Sequence, residues 1–192
     1  MKRLSLMAFA PLLVIGTPAL AHPEHAGHGS VMAGFVHPFA GMDHVLAMAA
    51  VGLWAATLGG RALVAVPATF VGVMMLGFVA ALAGVTVPFV EPMILSSVVA
   101  LGLLIAIARQ VPVVAAAGIV GLVAFFHGHA HGVEMAGDSA LSFGVGFALA
   151  TMLLHAAGLG LGLGAARVIR GPTGVRIAGA ATALGGVLLL AN

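Results

Sequence analysis

Six nearly unbroken apolar stretches dominate the sequence. They lie at residues 38–58, 63–84, 91–108, 111–131, 140–166 and 174–191. An α-helix needs about 20 apolar residues to cross the hydrocarbon core of a bilayer. Inside that core the backbone polar groups must bond to one another, which favours helices. The pattern therefore predicts an all-α fold, a polytopic membrane helix bundle with about six transmembrane helices.

The breaks between the stretches are short and rich in turn residues. They contain Gly59-Gly60-Arg61, Thr86-Val87-Pro88, Arg109-Gln110-Val111-Pro112, Gly137-Asp138-Ser139 and Arg170-Gly171-Pro172. Such connections leave no room for a soluble domain and predict that consecutive helices pack antiparallel. Composition agrees, because 62% of the residues are apolar and only 6% are charged, whereas about a quarter are charged in soluble proteins.

The amino terminus has the features of a targeting segment. Lys2 and Arg3 precede the short apolar run LSLMAFAPLLVIG, and a small-x-small pattern ends at Ala21. These are the marks of a cleavable secretory signal. We expect a signal peptide at 1–21, a histidine-containing periplasmic tail at 22–36 and a helical membrane domain at 37–192. An uncleaved first membrane helix is the alternative.

The charged residues indicate an orientation. With the mature amino terminus outside, the arginines that follow the signal all fall on the inside: Arg61, Arg109, Arg167, Arg170 and Arg176. This agrees with the positive-inside rule. The acids fall at the opposite end: Glu24, Asp43, Glu91, Glu134 and Asp138. The pattern predicts a multi-pass protein of the bacterial cytoplasmic (inner) membrane with a periplasmic amino terminus. Because the basic residues are scattered, nucleic acid is not an expected partner.

Most histidines lie at the same end as the acids. His22, His25 and His28 fall in the tail, where they could collect metal loosely, and His155 alone lies well inside a span. The chain has no cysteine, which excludes thiolate ligands and disulfides. A metal ion here would be held by imidazole, carboxylate, backbone or water, with thioether as a further donor. Imidazole and carboxylate suit nickel, zinc, cobalt or iron.

The run HPFAGMDHVLAMAAVGLWAA, residues 37–56, places polar groups at the start of the first span. Pro38 is expected at the first helical position, with His37 as the N-cap. On a straight helix His44 would lie about 10 Å beyond His37, too far to share one ion. Either the helix breaks at Gly41, or His37 forms a separate metal-binding position further out.

Charged groups inside a span are costly and usually mark ion pathways. We therefore expect Asp43 and His44 to be inner ligands and His37 to be the outermost ligand. Simple capping of a helix at the membrane interface is the alternative for these residues.

A second histidine run, FHGHAHGVE, lies at 126–134. His127 and His131 are four residues apart, so on a helix they share a face at a separation suited to one ion, and Glu134 extends that face. His129 is expected to serve the loop or a neighbouring helix. Two roles remain open for His155: a hydrogen bond to a neighbouring helix, or a second metal-binding position along the path of the ion. The candidate metal ligands are His37, Asp43, His44, His127, His131, Glu134 and His155.

The 37–56 run resembles the signature of the HupE/UreJ family of nickel permeases. The signal, the several spans and the FHGHAHGVE run are also similar to that family. The resemblance implies a secondary transporter, not an enzyme, that imports Ni²⁺ or a related ion such as Co²⁺, Zn²⁺ or Fe²⁺. The metal would be substrate rather than cofactor, and it would supply an enzyme such as hydrogenase or urease.

Two other functions remain open. An intramembrane zinc-dependent hydrolase would also place histidines and an acid at one membrane face, with one metal position left free. A non-transporting membrane metal sensor or accessory protein is the second. The sequence contains no nucleotide-binding motif, so transport would be driven by a gradient or by trapping inside the cell. The expected partners are the metal ion and the lipid bilayer, and the oligomeric state is left open.

Overall fold

The structure, a computed structural model, describes residues 30–135, 139–168 and 172–191. Within these ranges the chain is entirely helical, with seven α-helices and one 3-10 turn. They are α1 (Val31–Val36), the 3-10 turn (His37–Phe39), α2 (Met42–Leu58), α3 (Ala62–Leu82), α4 (Val90–Ile107), α5 (Val113–Glu134), α6 (Ala140–Val168) and α7 (Thr173–Leu190). The predicted signal peptide, the tail histidines His22, His25 and His28, and Asp138 lie outside the described residues.

The last six helices coincide with the six predicted stretches. Helices α3 to α7 are each long and apolar enough to cross a membrane, and α1, the 3-10 turn and α2 form a sixth, bent candidate. Large apolar side chains such as Val64, Leu76 and Val114 point outward, where a bilayer would cover them. The predicted all-α membrane bundle is confirmed.

The first span begins differently from the prediction. Ser30, not His37, caps the first helix, because the Ser30 hydroxyl accepts a hydrogen bond from the Ala33 amide at 3.0 Å. The chain then passes through the 3-10 turn, which contains Pro38, and bends by 87° into α2. Of the two alternatives for this stretch, the structure shows the break, with Gly41 in an extended conformation at the start of α2.

The closest helix pairs are not consecutive in sequence, contrary to the expectation from the short loops. Helix α3 packs most closely on α5, α2 on α6, and α4 on α7. Glycines at the crossing points allow the backbones to touch. A methyl group added at Gly128 would collide with the Met74 carbonyl of α3, and one at Gly158 with the Ala49 carbonyl of α2. Small residues permit such close approach where lipid supplies no hydrophobic drive for association.

The two ends of the bundle differ in chemistry. At one end, the Gln110 amide donates to the Thr57 carbonyl at 2.9 Å and Arg176 donates to the Ala106 carbonyl at 3.0 Å. The interior near this arginine-bearing end is filled by apolar side chains such as Trp54. The other end carries the histidines and carboxylates, which the next section describes.

Candidate metal site

Three side chains converge where α5 ends beside the 3-10 turn. Ligand atoms of His37, His131 and Glu134 all lie within 4.8 Å of one another. His37 Nε2 is 3.0 Å from His131 Nδ1 and 3.6 Å from Glu134 Oε2, and that oxygen is 3.1 Å from His131 Nδ1. Two imidazole nitrogens and one carboxylate oxygen form a donor set suited to a divalent transition-metal ion.

The second nitrogen of His131 faces a different partner. His131 Nε2 is 2.6 Å from His44 Nε2. The imidazole of His131 therefore stands between two groups, with His37 and Glu134 on its Nδ1 side and His44 on its Nε2 side. Metal–nitrogen bonds are about 2.1 Å long, so each side offers nitrogens close enough for one ion to bind both. His131 itself is buried, whereas the Glu134 side chain is 55% exposed.

Asp43 supports His44 rather than joining the cluster directly. Asp43 Oδ1 lies 2.9 Å from His44 Nδ1, where it can accept a hydrogen bond from Nδ1–H. The unprotonated Nε2 then faces His131. A carboxylate in this position fixes the tautomer and orientation of a metal-binding histidine. The sequence predicts Asp43 as an inner ligand. In the structure its carboxylate contacts the Nδ1 side of the His44 ring, whereas Nε2 of that ring faces His131.

Gly41 makes room for this pair. A Cβ atom at this position would lie 2.5 Å from Asp43 Oδ1 and 2.9 Å from His44 Nδ1. The carboxylate and the imidazole therefore fold back over the break between the 3-10 turn and α2. A glycine is needed at this position because a larger residue would collide with these side chains, not because the backbone dihedral angles are unusual.

Two phenylalanines of α6 form a wall beside the cluster. The Phe143 ring contacts the His37 ring at 5.3 Å between centroids, and the Phe147 ring contacts the His131 ring at 4.6 Å. Sequence reasoning missed both residues, although their spacing of four on an apolar helix places them on one face. The wall keeps the buried imidazoles in place and shields one side of the cluster from solvent.

His127 lies one helical turn deeper than His131. Its Nδ1 donates to the Val123 carbonyl of its own helix at 3.0 Å, and its ring lies 5.6 Å from the His44 ring. The two histidines share a face of α5, as predicted, but His131 contacts His37 and His44 whereas His127 reaches only His44.

The other two buried histidines lie apart from the cluster. His129 Nε2 donates to the Val85 carbonyl at 2.7 Å, so it holds the loop after α3, as expected. His155 packs against Phe70 at 5.0 Å between ring centroids. Neither of its ring nitrogens has a hydrogen-bond partner in the described part of the chain. Of the two alternatives for His155, the hydrogen bond to a neighbouring helix is therefore not found among the described residues.

The fold and the cluster together define a class of protein. The protein is a bundle of helices long enough to span a membrane, with imidazoles and a carboxylate gathered at one end, and such ionisable groups in membrane helices usually mark an ion pathway or binding site. The sequence model described as HupE / UreJ protein matches residues 10–189, and the chain belongs to that family. This is a family of hydrogenase and urease accessory proteins associated with nickel and cobalt transport, and the predicted resemblance is confirmed.

One relative is similar over nearly the full length. Protein HupE of Rhizobium leguminosarum bv. viciae is 44% identical over 182 residues, which cover 93% of this chain and 94% of the relative. No solved structure matches the chain.

Proposed function

We propose that this protein imports a divalent transition-metal ion, Ni²⁺ in the first place, across the cytoplasmic membrane for a metalloenzyme such as hydrogenase or urease. The observation that carries the proposal is the position of His131. One ring nitrogen faces His37 and the half-exposed Glu134, and the other faces the partly buried His44, at one end of a membrane-spanning bundle. Family membership supports the transport of nickel or cobalt in general.

The arrangement favours a stepwise passage. An arriving ion first exchanges water for Glu134 and His37, because these are the exposed members of the cluster. The carboxylate supplies the charge that a dehydrating cation requires in a medium of low dielectric constant. The ion then shifts around His131 towards His44, whose orientation Asp43 maintains. Neutral imidazoles bind it without trapping it, and a carrier must also release its substrate.

The proposed orientation places the cluster in the periplasm. The arginines of the loops and helix ends, Arg61, Arg109, Arg167 and Arg176 in the described part of the chain, then lie on the cytoplasmic side, as the positive-inside rule requires. A cleaved signal peptide would deliver the amino terminus to the periplasm. Reporter fusions that place the loop after α5 in the cytoplasm would contradict this orientation.

Elemental analysis of cells with and without the gene, grown with limiting Ni²⁺, Co²⁺, Zn²⁺ or Fe²⁺, tests the proposed function. We expect cellular nickel to rise when the gene is present. Unchanged content of all four metals would point to a sensor or accessory protein instead. One tightly retained zinc ion per purified chain, without accumulation in cells, would favour a hydrolase.

Gly41→Ala is expected to lower nickel uptake about tenfold, the scale of effect usual when the support of a metal ligand is lost. The added methyl group displaces the Asp43 carboxylate and the His44 imidazole, which are flexible enough to move without unfolding the protein. Gly118→Ala is the matched control, because its added methyl group would meet open space. Uptake is compared at equal membrane expression, and similar uptake by the two variants would contradict the role assigned to Gly41.

Nickel uptake is also expected to fall as the external pH drops from about 6.5 to about 5. A histidine must be neutral to bind a metal, and burial disfavours the charged form of an imidazole, so buried ligands are protonated only below the ordinary pKa of about 6.5. Protons and metal ions therefore compete for the same ring nitrogens. The initial uptake rate is measured at a fixed concentration of free Ni²⁺, and a rate that rises over this pH range would indicate proton coupling instead.

A further inference from the structure

A second layer of donor atoms lies directly beneath the candidate metal site. At the level of the site, four helices each contribute one residue to what we call the outer layer: His44, Phe78, His131 and Phe147. One helical turn deeper on the same four helices lie Met48, Met74, His127 and Thr151, which we call the inner layer. All four members of the inner layer are fully buried.

Thr151 gathers the sulfur atoms of this layer. Its hydroxyl lies 3.4 Å from Met48 Sδ of α2 and 3.6 Å from Met74 Sδ of α3. A threonine within a helix commonly bonds to the carbonyl four residues earlier, as Thr57 and Thr182 do here. Thr151 turns instead towards two thioethers, which are weak acceptors. An oxygen and two sulfurs from three helices therefore meet at one buried point.

Unused ring nitrogens lie in the inner layer and one helical turn beyond it. Among the described residues, His127 Nε2 is buried without a hydrogen-bond partner, and so are both ring nitrogens of His155, which is one turn beyond Thr151 on α6. Buried polar atoms nearly always have a partner, and each exception asks for an explanation such as an ion. The ring of Phe70 packs against both histidines, at 5.7 Å from His127 and 5.0 Å from His155.

We propose that the inner layer is a second, transient binding station for the transported ion, and this proposal rests on the proposed function. Its donors are imidazole nitrogen, thioether sulfur and hydroxyl oxygen. This set suits a late first-row transition-metal ion and is poor for Mg²⁺, Ca²⁺ or Mn²⁺, which prefer oxygen ligands. The Glu134 carboxylate of the candidate metal site attracts any divalent cation by charge, whereas the inner layer passes only ions that accept nitrogen and sulfur.

The absence of a carboxylate from the inner layer fits a transient station. None of its four members carries a charge when His127 is neutral, whereas the Asp43 carboxylate contacts His44, one helical turn above Met48. An ion bound there is held less firmly than one at Glu134. Weak binding at successive stations allows an ion to move on, as conduction requires.

The test is the double variant Met48→Leu, Met74→Leu, with Met152→Leu as the matched control. Leucine has nearly the volume of methionine, so the core stays filled while both sulfurs are lost. Met152 lies on α6 beside Thr151 but faces outward. Nickel accumulation in cells is measured at equal membrane expression. Binding of the first equivalent of Ni²⁺ is measured by calorimetry on full-length protein purified without a histidine tag.

We expect the double variant to bind the first equivalent of Ni²⁺ as the wild type does, while its uptake falls about tenfold or more. The Met152→Leu protein should match the wild type in both measurements. Uptake by the double variant within about twofold of wild type would overturn the proposal. Loss of first-equivalent binding in the double variant would also overturn it, because the sulfurs would then only support the outer layer. A wild-type protein that accumulates no metal would remove the proposed function, which is a separate result.

Discussion

His131→Gln is expected to abolish nickel uptake, with a loss of more than about a hundredfold. Among the described residues, His131 lies within hydrogen-bond distance of both sides of the candidate metal site, through its Nδ1 to His37 and Glu134 and through its Nε2 to His44. Glutamine can fill much of the space and form a hydrogen bond, but it cannot present two ring nitrogens to two neighbours. No imidazole would then stand between His44 and the ligands on the other side, His37 and Glu134.

The matched control for this change is His129→Gln. His129 is also buried on α5, two residues away, but its Nε2 donates to the Val85 carbonyl, and a glutamine amide can replace that donor. We expect the control to retain most of its uptake. Both proteins are compared by cellular nickel content at equal membrane expression. Near-normal uptake by His131→Gln would show that His131 only fills space between the helices.

Asp43→Asn is expected to lower uptake by about ten- to a hundredfold, the range usual for loss of a carboxylate that orients a metal ligand. The substitution keeps the shape of the side chain and removes its charge. The asparagine amide can also present its NH₂ group to His44 Nδ1, which would turn the imidazole to the wrong tautomer. The protein should still insert, because Asp43 is only partly buried and its ion-pair partner His44 is the next residue on the same helix.

The affinity of Asp43→Asn for Ni²⁺ distinguishes a residue that orients His44 from a residue that binds the ion directly. Calorimetry on Asp43→Asn should show weakened but measurable Ni²⁺ binding, because His37, His131 and Glu134 remain. Wild-type uptake by Asp43→Asn would leave helix capping as the better explanation of this aspartate.

The membrane fold was predictable because a bilayer imposes a simple length rule. Each of the six apolar stretches became a helix, with boundaries within a few residues, since about 20 apolar residues are needed to cross. The segment before the first span was not predictable in this way. Helix α1 has six residues, too few to show a periodic pattern, and the bend before α2 depends on how α1 packs against α6.

The sequence predicted which residues form the candidate metal site better than it predicted how they are arranged. The spacing of His131 and Glu134 placed them together because they share one helix face, and the structure confirms that contact. The pairing of His131 with His37 and His44 joins residues about ninety positions apart in sequence. No local pattern encodes such a contact, which depends on the bend at Gly41 and on the packing of α2, α5 and α6. The phenylalanine wall was missed for the same reason, and of the inner layer the sequence predicted only His127 as a ligand.

Nickel transport by purified protein reconstituted in lipid vesicles tests the central claim most directly. Vesicles that enclose a nickel-sensitive dye are exposed to external Ni²⁺, and the initial rate of dye response is compared among wild type, His131→Gln and protein-free vesicles. We predict a saturable response with wild-type protein and a response near that of empty vesicles with His131→Gln. Equal rates in all three preparations would contradict transport by this protein, and equal rates in the two protein-containing preparations would contradict the role of His131.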